Sequence, residues 1–482
     1  MKKEVKVIIA ICIVVAIITS FITVNLTGNV VKAGGWFNKK EVYTVSEVDE
    51  LIENLKTGKK ISTVTTTEEG GVDGTIGTSI ETIDSTRINV QDYGAKGDGV
   101  TDDTQAIQNA LDDSVAHGGG EVYLPPTGNA YVITNTLVLG NGVALTGPAT
   151  QSWPGESASE AQWTASGTWI KVKENVVGVK LLGHGSALKG INFIHQQGAT
   201  WSPDTSNTWT ISVSASNFRV ENIIILNTAK GMIVEYEPCC GGGTYSYIRN
   251  LYISAYKTGL KLNRINDKLD ISDLHFRNLV SASSEDVANY LLNNYIAMEV
   301  GYLDNVQVNN IEFFIPHTAI LFRNGNVDFT PGNQISHSLY NGQFNNIIFN
   351  QPRFAMRVED SSTIVTGQFN NVIAQGSENN FNSMIEDTLF MLRSDFVDLQ
   401  FSNLFVPTTG GAVMEIGGGN SGASVMIDNA RIEDFSSIGT PRSALIVYSG
   451  TLTLGSNYIE SSKGYTPINS QGTVHKTTLE SQ

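Results

Sequence analysis

An all-β solenoid, a single-stranded parallel β-helix with a short helix near its amino-terminal end, is the fold class that the sequence predicts. Three observations predict it. The first is an opening motif, Ile88-Asn-Val-Gln-Asp-Tyr-Gly-Ala-Lys-Gly-Asp-Gly-Val-Thr-Asp-Asp103, followed by a helical pattern to Leu111 and by Gly118-Gly-Gly-Glu-Val-Tyr-Leu-Pro-Pro126. The second is an internal repeat of two alternating strand forms from about residue 130 onward, the signature of a stacked array. The third is composition: 47 glycines and only 16% charged residues suit many short strands joined by tight turns.

At the amino terminus, Lys2, Lys3 and Lys6 precede an apolar stretch, Val7 to Ile18, whose uncharged continuation runs through Leu26. This reads as an export signal or a membrane anchor, because the dense apolar core is short for a span of about 20 residues while the whole uncharged tract reaches that length. Val31-Lys-Ala33 offers small residues for cleavage, which would leave a mature start near Gly34. Lysines before the stretch stay inside, so either reading places the remaining chain outside the cytoplasm, secreted or at the cell surface. The expected order is a leader over residues 1–33, then a stalk and linker over 34–86. Within the latter, Val42 to Lys56 has Val45, Val48, Leu51, Ile52 and Leu55 at helical spacing with Thr44 and Glu47 as a capping box. Thr63 to Asp84, rich in Thr, Gly and acidic residues, reads as a linker. The main domain is expected over 87–465, with a tail over 466–482.

The opening motif has a simple physical reading. A short strand, Ile88 to Val90, gives way to a turn in which Gly94, Gly97 and Gly99 permit positive φ, and Thr101 or Asp102 caps a helix. Ala106, Ile107, Ala110 and Leu111 supply its apolar face. Glu121 to Leu124 is then a strand that Pro125 and Pro126 end. In the repeats, one form is a short turn before alternating apolar residues, as in Lys230-Gly-Met-Ile-Val-Glu235, Thr258-Gly-Leu-Lys-Leu262, Thr318-Ala-Ile-Leu-Phe-Arg323 and Phe354-Ala-Met-Arg-Val-Glu359. The other places Asn or Asp before a strand, as in Ile248-Arg-Asn-Leu-Tyr-Ile253, Ile271-Ser-Asp-Leu-His-Phe276, Val308-Asn-Asn-Ile-Glu-Phe313 and Phe344-Asn-Asn-Ile-Ile-Phe349. Each pair marks one coil, with coils about 23 to 37 residues apart. The asparagines are expected to sit in the left-handed region and to bond their counterparts in adjacent coils.

On these motifs the chain resembles the pectate-lyase-like superfamily, the right-handed parallel β-helices shared by polygalacturonases, polysaccharide lyases and phage tailspikes. The resemblance implies that the helix after the opening motif lies over the open end of the solenoid. It also implies a polysaccharide as partner and, on the tailspike side, a homotrimer. Catalytic signatures are another matter. Polygalacturonases carry Asn-Thr-Asp, Asp-Asp, Gly-His-Gly and Arg-Ile-Lys in that order, and here only Gly183-His-Gly185 matches, ahead of the coils that should hold the aspartates. His184 therefore reads as an early-coil turn residue. The calcium ligands of pectate lyases have no counterpart cluster; Asp267, Asp270 and Asp273 read as turn and ladder positions, and Asp98, Asp102 and Asp103 as turn and cap groups. No cofactor is expected, with calcium as the lesser alternative.

Stacked coils turn sequence alignment into a map, because equivalent outward residues lie about 4.8 Å apart. With Ile320, Met356 and Phe390 taken as equivalent inward positions, the outward column three residues later reads Arg323, Glu359, Arg393, and the turns before the strands supply His317, Arg353, Glu386 and Asp387. Arg357 lies beside them and Glu299 one coil earlier. Arginine can grip a uronic acid carboxylate in a fork and acidify the C5 proton, while His317 abstracts it. Glu359 and Asp387 would equally serve hydrolysis if held about 6.5–9.5 Å apart for inversion. The plain alternative is a solvated charge ladder that stabilises stacking modestly.

Charge and cysteine content exclude other classes. A net charge of −16 argues against nucleic acid as a partner, which would need a basic face. Cys12 lies in the apolar stretch and Cys239 and Cys240 are adjacent, so there is no disulfide framework. Trp153, Trp163, Trp169, Trp201 and Trp209 cluster in the early coils, where packing is the expected role and sugar stacking the alternative. The expected activity is degradation of an acidic polysaccharide by lyase or hydrolase chemistry; the rivals are a non-catalytic glycan-binding adhesin and a tailspike-type depolymerase.

Overall fold

The computed structural model describes residues 87–148, 159–195, 208–236, 245–277, 285–325, 327–328, 334–335, 337–358, 361–376, 388–418, 422–435, 442–461 and 464–479, with five short strands before residue 82. Two compact units divide the chain, Met1–Arg87 and Ile88–Gln482. In the first, Thr23–Thr27, Val30–Gly34 and Lys40–Thr44 form an antiparallel sheet, and Thr63–Thr67 pairs with Gly77–Glu81. Val42 to Thr44 thus begin the expected stalk helix as strand, where Val42 and Thr44 pair with Lys32 and Val30; β-branched and aromatic side chains favour that choice. Residues 45–56 and the apolar stretch Val7 to Ile18 lie outside the described residues. No helix among the described residues is long and apolar enough to cross a membrane.

In the second unit, strands pair in parallel with the strand one coil away, and three faces result. Gly120–Tyr123 pairs with Val143–Thr146, Ala130–Ile133 with Thr168–Val172, and Leu137–Leu139 with Val179–Leu181. The same three-fold succession runs to Thr473–Leu479 within one sheet of 29 strands. We call the faces A, B and C in chain order. The two repeat forms map onto them: the Asn form covers face A, the corner and face B, and the turn-first form covers face C. Arg219–Glu235 runs through all three, bending at Asn222 and Asn227, both near φ of +55° to +60°.

The corner between faces A and B is built as expected. Asn222, Asn250, Asp273, Asn310, Asn346, Asn371, Asn403 and Asn429 all adopt positive φ. Asn346 Nδ2 donates to Asn310 Oδ1 at 3.1 Å, Asn371 to Asn346 at 3.0 Å and Asn403 to Asn371 at 2.9 Å. A second amide row follows one residue earlier, with Asn345 donating to Asn309 and Asn370 to Asn345. Inside, stacked aromatics repeat the coil step: Phe276, Phe313 and Phe349 lie 5.1 and 5.3 Å apart, and Phe344, Phe369 and Phe401 lie 4.5 and 5.3 Å apart.

The helix Thr104–Ala116 covers the first coil, burying Ile107, Ala110 and Leu111. Its polar residues finish the exposed sheet edge: Thr104 Oγ1 accepts from Thr134 N at 2.8 Å and Gln108 Oε1 from Val138 N at 2.9 Å, which satisfies backbone donors that an open edge would leave unpaired. Its cap position is Asp103 rather than Thr101 or Asp102. The Asp103 carboxylate turns back instead, accepting from Lys96 N and Gly97 N and closing the glycine loop. Asp102 accepts from Thr104 N, and Asp98 from Val100 N and Thr101 N, so all three aspartates are turn and cap groups.

On face C the position before the first large inward side chain must be small. A Cβ at Gly259 would lie 2.6 Å from Ala297 O and 2.8 Å from the Phe276 ring. Overpacking of this kind costs about 1–3 kcal/mol. Gly259→Ala is therefore expected to lower the chemical denaturation midpoint, and an unchanged midpoint would show that the coil can relax around a methyl group.

Candidate functional site

Pairing on face C fixes which outward side chains are neighbours. Met298, Ile320, Met356, Phe390 and Met414 align inward, which is the register read from the sequence. Their outward neighbours form the column Lys261, Glu299, Leu321, Arg357, Met391, Glu415. The column falls into three regions of different chemistry.

The first is a charge ladder. Lys261 Nζ stands 3.5 Å from Glu235 and 3.9 Å from Glu299, Arg264 is 3.8 Å from Glu235, and Arg323 Nε is 3.9 Å from Glu299. Glu299 and Arg323 are thus paired with each other. Pairs of this exposure contribute little individually, about 0–1 kcal/mol.

The second gathers His317, Arg353 and Arg357 around Phe354. The His317 ring meets the Phe354 ring edge-on at 5.4 Å between centroids, and the guanidiniums of Arg353 and Arg357 lie 5.5 and 5.6 Å from the same ring. His317 Nδ1 is 3.0 Å from Thr318 Oγ1. Burial of the imidazole, reinforced by Arg353 and Arg357, lowers its pKa to about 4. His317 is therefore a neutral base beside two fixed cations across the ordinary pH range.

The third was not legible from spacing. Glu415 is fully buried although it occupies an outward position. Its Oε2 accepts from Arg393 Nε at 2.5 Å, and its Oε1 accepts from Arg442 at 2.6 Å and from Thr388 Oγ1 at 2.6 Å. Arg393 also lies 5.4 Å from the Tyr448 ring. Arg393, a substrate-binding candidate by spacing, has Glu415 as its partner, and Arg442 and Thr388 close over the same carboxylate. Glu359, Glu386 and Asp387 lie outside the described residues.

Other candidates fall away from this face. His184 takes a turn position, its Nδ1 accepting from Ser216 N at 3.3 Å. Asp270 pairs with Arg249 at 2.8 Å, and Asp273 joins the amide ladder by accepting from Asn310. Among the described residues no group of three or more His, Cys, Asp or Glu side chains is placed to hold a metal ion. Trp163 and Trp169 are buried with Ala130, Ile194 and Leu226 in a small cluster outside the main core, and Trp209 carries Lys230 over its ring at 5.2 Å; Trp153 and Trp201 lie outside the described residues.

A separate groove of about 640 Å³ runs along the outer side of face B beside the amide ladder, from Asp273 to Phe405. Its floor is the outward column His275, Glu312, Ile348, Ile373, Phe405, with Tyr252 one coil before it in the same column. The signal for it was present in the second repeat form, whose fifth residue supplies each of these side chains.

Known proteins share this fold and short stretches of this sequence. Residues 87–297 match the family described as rhamnogalacturonase A/epimerase, pectate lyase-like. That match covers less than half of the chain and accompanies the parallel β-helix fold described above. It is 68% identical over 37 residues to mannuronan C5-epimerase AlgE5 of Azotobacter vinelandii, a stretch covering 8% of this chain and 4% of that one. It is 44% identical over 64 residues to the tail spike protein of Shigella phage Sf6, covering 12% and 10%. Among solved structures, the pre-mature gene product 12 of bacteriophage phi29 superposes with a TM-score of 0.51 at 14% identity, over 81% of this chain and 56% of that one. The matched stretches thus span a small part of the relatives' length, and the structural likeness is one of fold.

Proposed function

We propose that this protein is an exported enzyme that cleaves a uronate-containing polysaccharide by β-elimination on face C. The observation that carries the reading is His317, held neutral beside the guanidiniums of Arg353 and Arg357. Arginine binds a sugar carboxylate through paired hydrogen bonds and disperses the charge that develops when the C5 proton leaves. The imidazole takes that proton, the electron pair forms the C4–C5 double bond, and the C4–O bond breaks. The departing oxygen takes a proton from water to give a new chain end. The similarity to a mannuronan C5-epimerase supports the choice of a uronate polymer, since that name places proton chemistry at the same carbon. Net negative charge does not oppose it, because the local field at His317 is set by Arg353 and Arg357.

Incubation with polymannuronate, polyguluronate and polygalacturonate tests the reading. Unsaturated ends absorbing in the ultraviolet are the expected product. Reducing ends without unsaturation would mean hydrolysis, inversion at C5 without chain scission would mean epimerisation, and unchanged polymer would leave a glycan-binding role. Export is checked by sequencing the mature amino terminus, expected near Gly34.

A further inference from the structure

The groove on face B has a chemistry of its own. We infer that it is a second saccharide-binding surface, taking an uncharged, hydroxyl-rich glycan chain laid along the solenoid axis. This goes beyond the uronate reading of face C and does not depend on it.

One wall is the amide ladder. Asn346, Asn371 and Asn403 each donate one Nδ2 hydrogen bond to the coil before. A primary amide has two N–H donors and an oxygen with two lone pairs. Each of Asn346 and Asn371, which also accepts one bond, therefore keeps one donor and one acceptor site for a ligand. A sugar hydroxyl needs that combination, since it donates and accepts at once. The coils repeat at about 4.8 Å, close to the advance of one sugar in an extended chain, so successive residues of a glycan would meet the same groups.

Part of the floor is apolar and exposed. Ile348 is 40% exposed and Ile373 is 42% exposed, on adjacent coils of one column. These present C–H surface for the apolar face of a sugar ring. At one end Tyr252 and His275 stack at 5.2 Å, extending the floor with flat rings of the kind that pack on sugars.

Charge narrows the ligand class. The groove lining carries the carboxylates of Asp273 and Glu312 and no lysine or arginine. Glu312 Oε2 lies 3.4 Å from His275 Nδ1. A polyanion would meet repulsion here without any compensating cation, which separates this surface from the arginine-rich cluster on face C.

Affinity electrophoresis of the full chain in gels containing hydroxyethylcellulose, galactomannan or dextran tests the assignment, with polygalacturonate as the acidic counterpart. Retardation by at least one neutral polymer is expected, together with a loss of about tenfold or more in that affinity for Ile348→Glu and Ile373→Glu. Thermal melting of the variants checks their folding, and Ile348→Ser or Ile373→Ser, which removes the exposed apolar surface without adding a charge, replaces any that melts early. The inference is overturned by no retardation in all three neutral gels, by equal retardation of wild type and variants, or by retention confined to polygalacturonate. The assay contains no turnover measurement, so its failure is distinct from failure to find unsaturated products.

Discussion

Replacing His317 by alanine is expected to lower turnover on a uronate polymer by about 10²–10⁴-fold, the contribution of a positioned general base, with little change in thermal midpoint because the ring is only partly enclosed. The pH profile carries the more specific expectation. A histidine base works in its neutral form, so activity is lost as pH falls through its pKa. With that pKa lowered from 6.5 to about 4, the acid limb of kcat/KM should lie near pH 4 and not near 6.5. Arg353 and Arg357 contribute to the lowering after burial. Removing either charge should therefore move the limb upward, and Arg357→Ala should in addition raise KM for the anionic polymer. A limb at 6.5 in the wild type, or full turnover in His317→Ala, would remove His317 from the chemistry.

Glu415→Ala is expected to cost the most stability of any single change on this face. Truncation leaves the half-buried Arg442 guanidinium and the buried Thr388 hydroxyl without their carboxylate. Breaking a buried ion pair from one side costs about 3–5 kcal/mol. Glu415→Gln keeps the shape and an acceptor oxygen and should cost less. Because each coil rests on its neighbours, the loss should show as an early partial unfolding transition and not as a uniform shift. Equilibrium urea denaturation followed by both tyrosine fluorescence and circular dichroism would reveal it; coincident, unshifted curves would mean that the network adds nothing.

Much of the fold was legible because a solenoid repeats its instructions. The alignment of Ile320, Met356 and Phe390 and the left-handed asparagines at the corner followed from spacing alone, since parallel pairing admits one register once inward residues are chosen. The cap of the first helix was misplaced by a residue or two, because three aspartates compete there and only geometry decides that Asp103 turns back into the loop. At the candidate site, spacing puts His317, Arg353 and Arg357 on one flank, and the structure gathers the three around Phe354. It could not show that Arg393 is engaged, because the burial of Glu415 depends on Arg442, a residue 27 positions further along. The groove on face B was missed for a different reason. Its floor mixes His, Glu, Ile and Phe at the fifth position of the second repeat form, so the position recurs while the residue type does not, and only the shared position could have revealed it.

The pairing of face C strand upon strand also governs how such a protein can change over generations. Each winding is held by the one below and the one above, so a duplicated or deleted winding shifts everything beyond it by one step without disturbing the interior. A reactive side chain could thereby be added, removed or moved along the flank by recombination, while Phe276, Phe313 and Phe349 go on stacking as before.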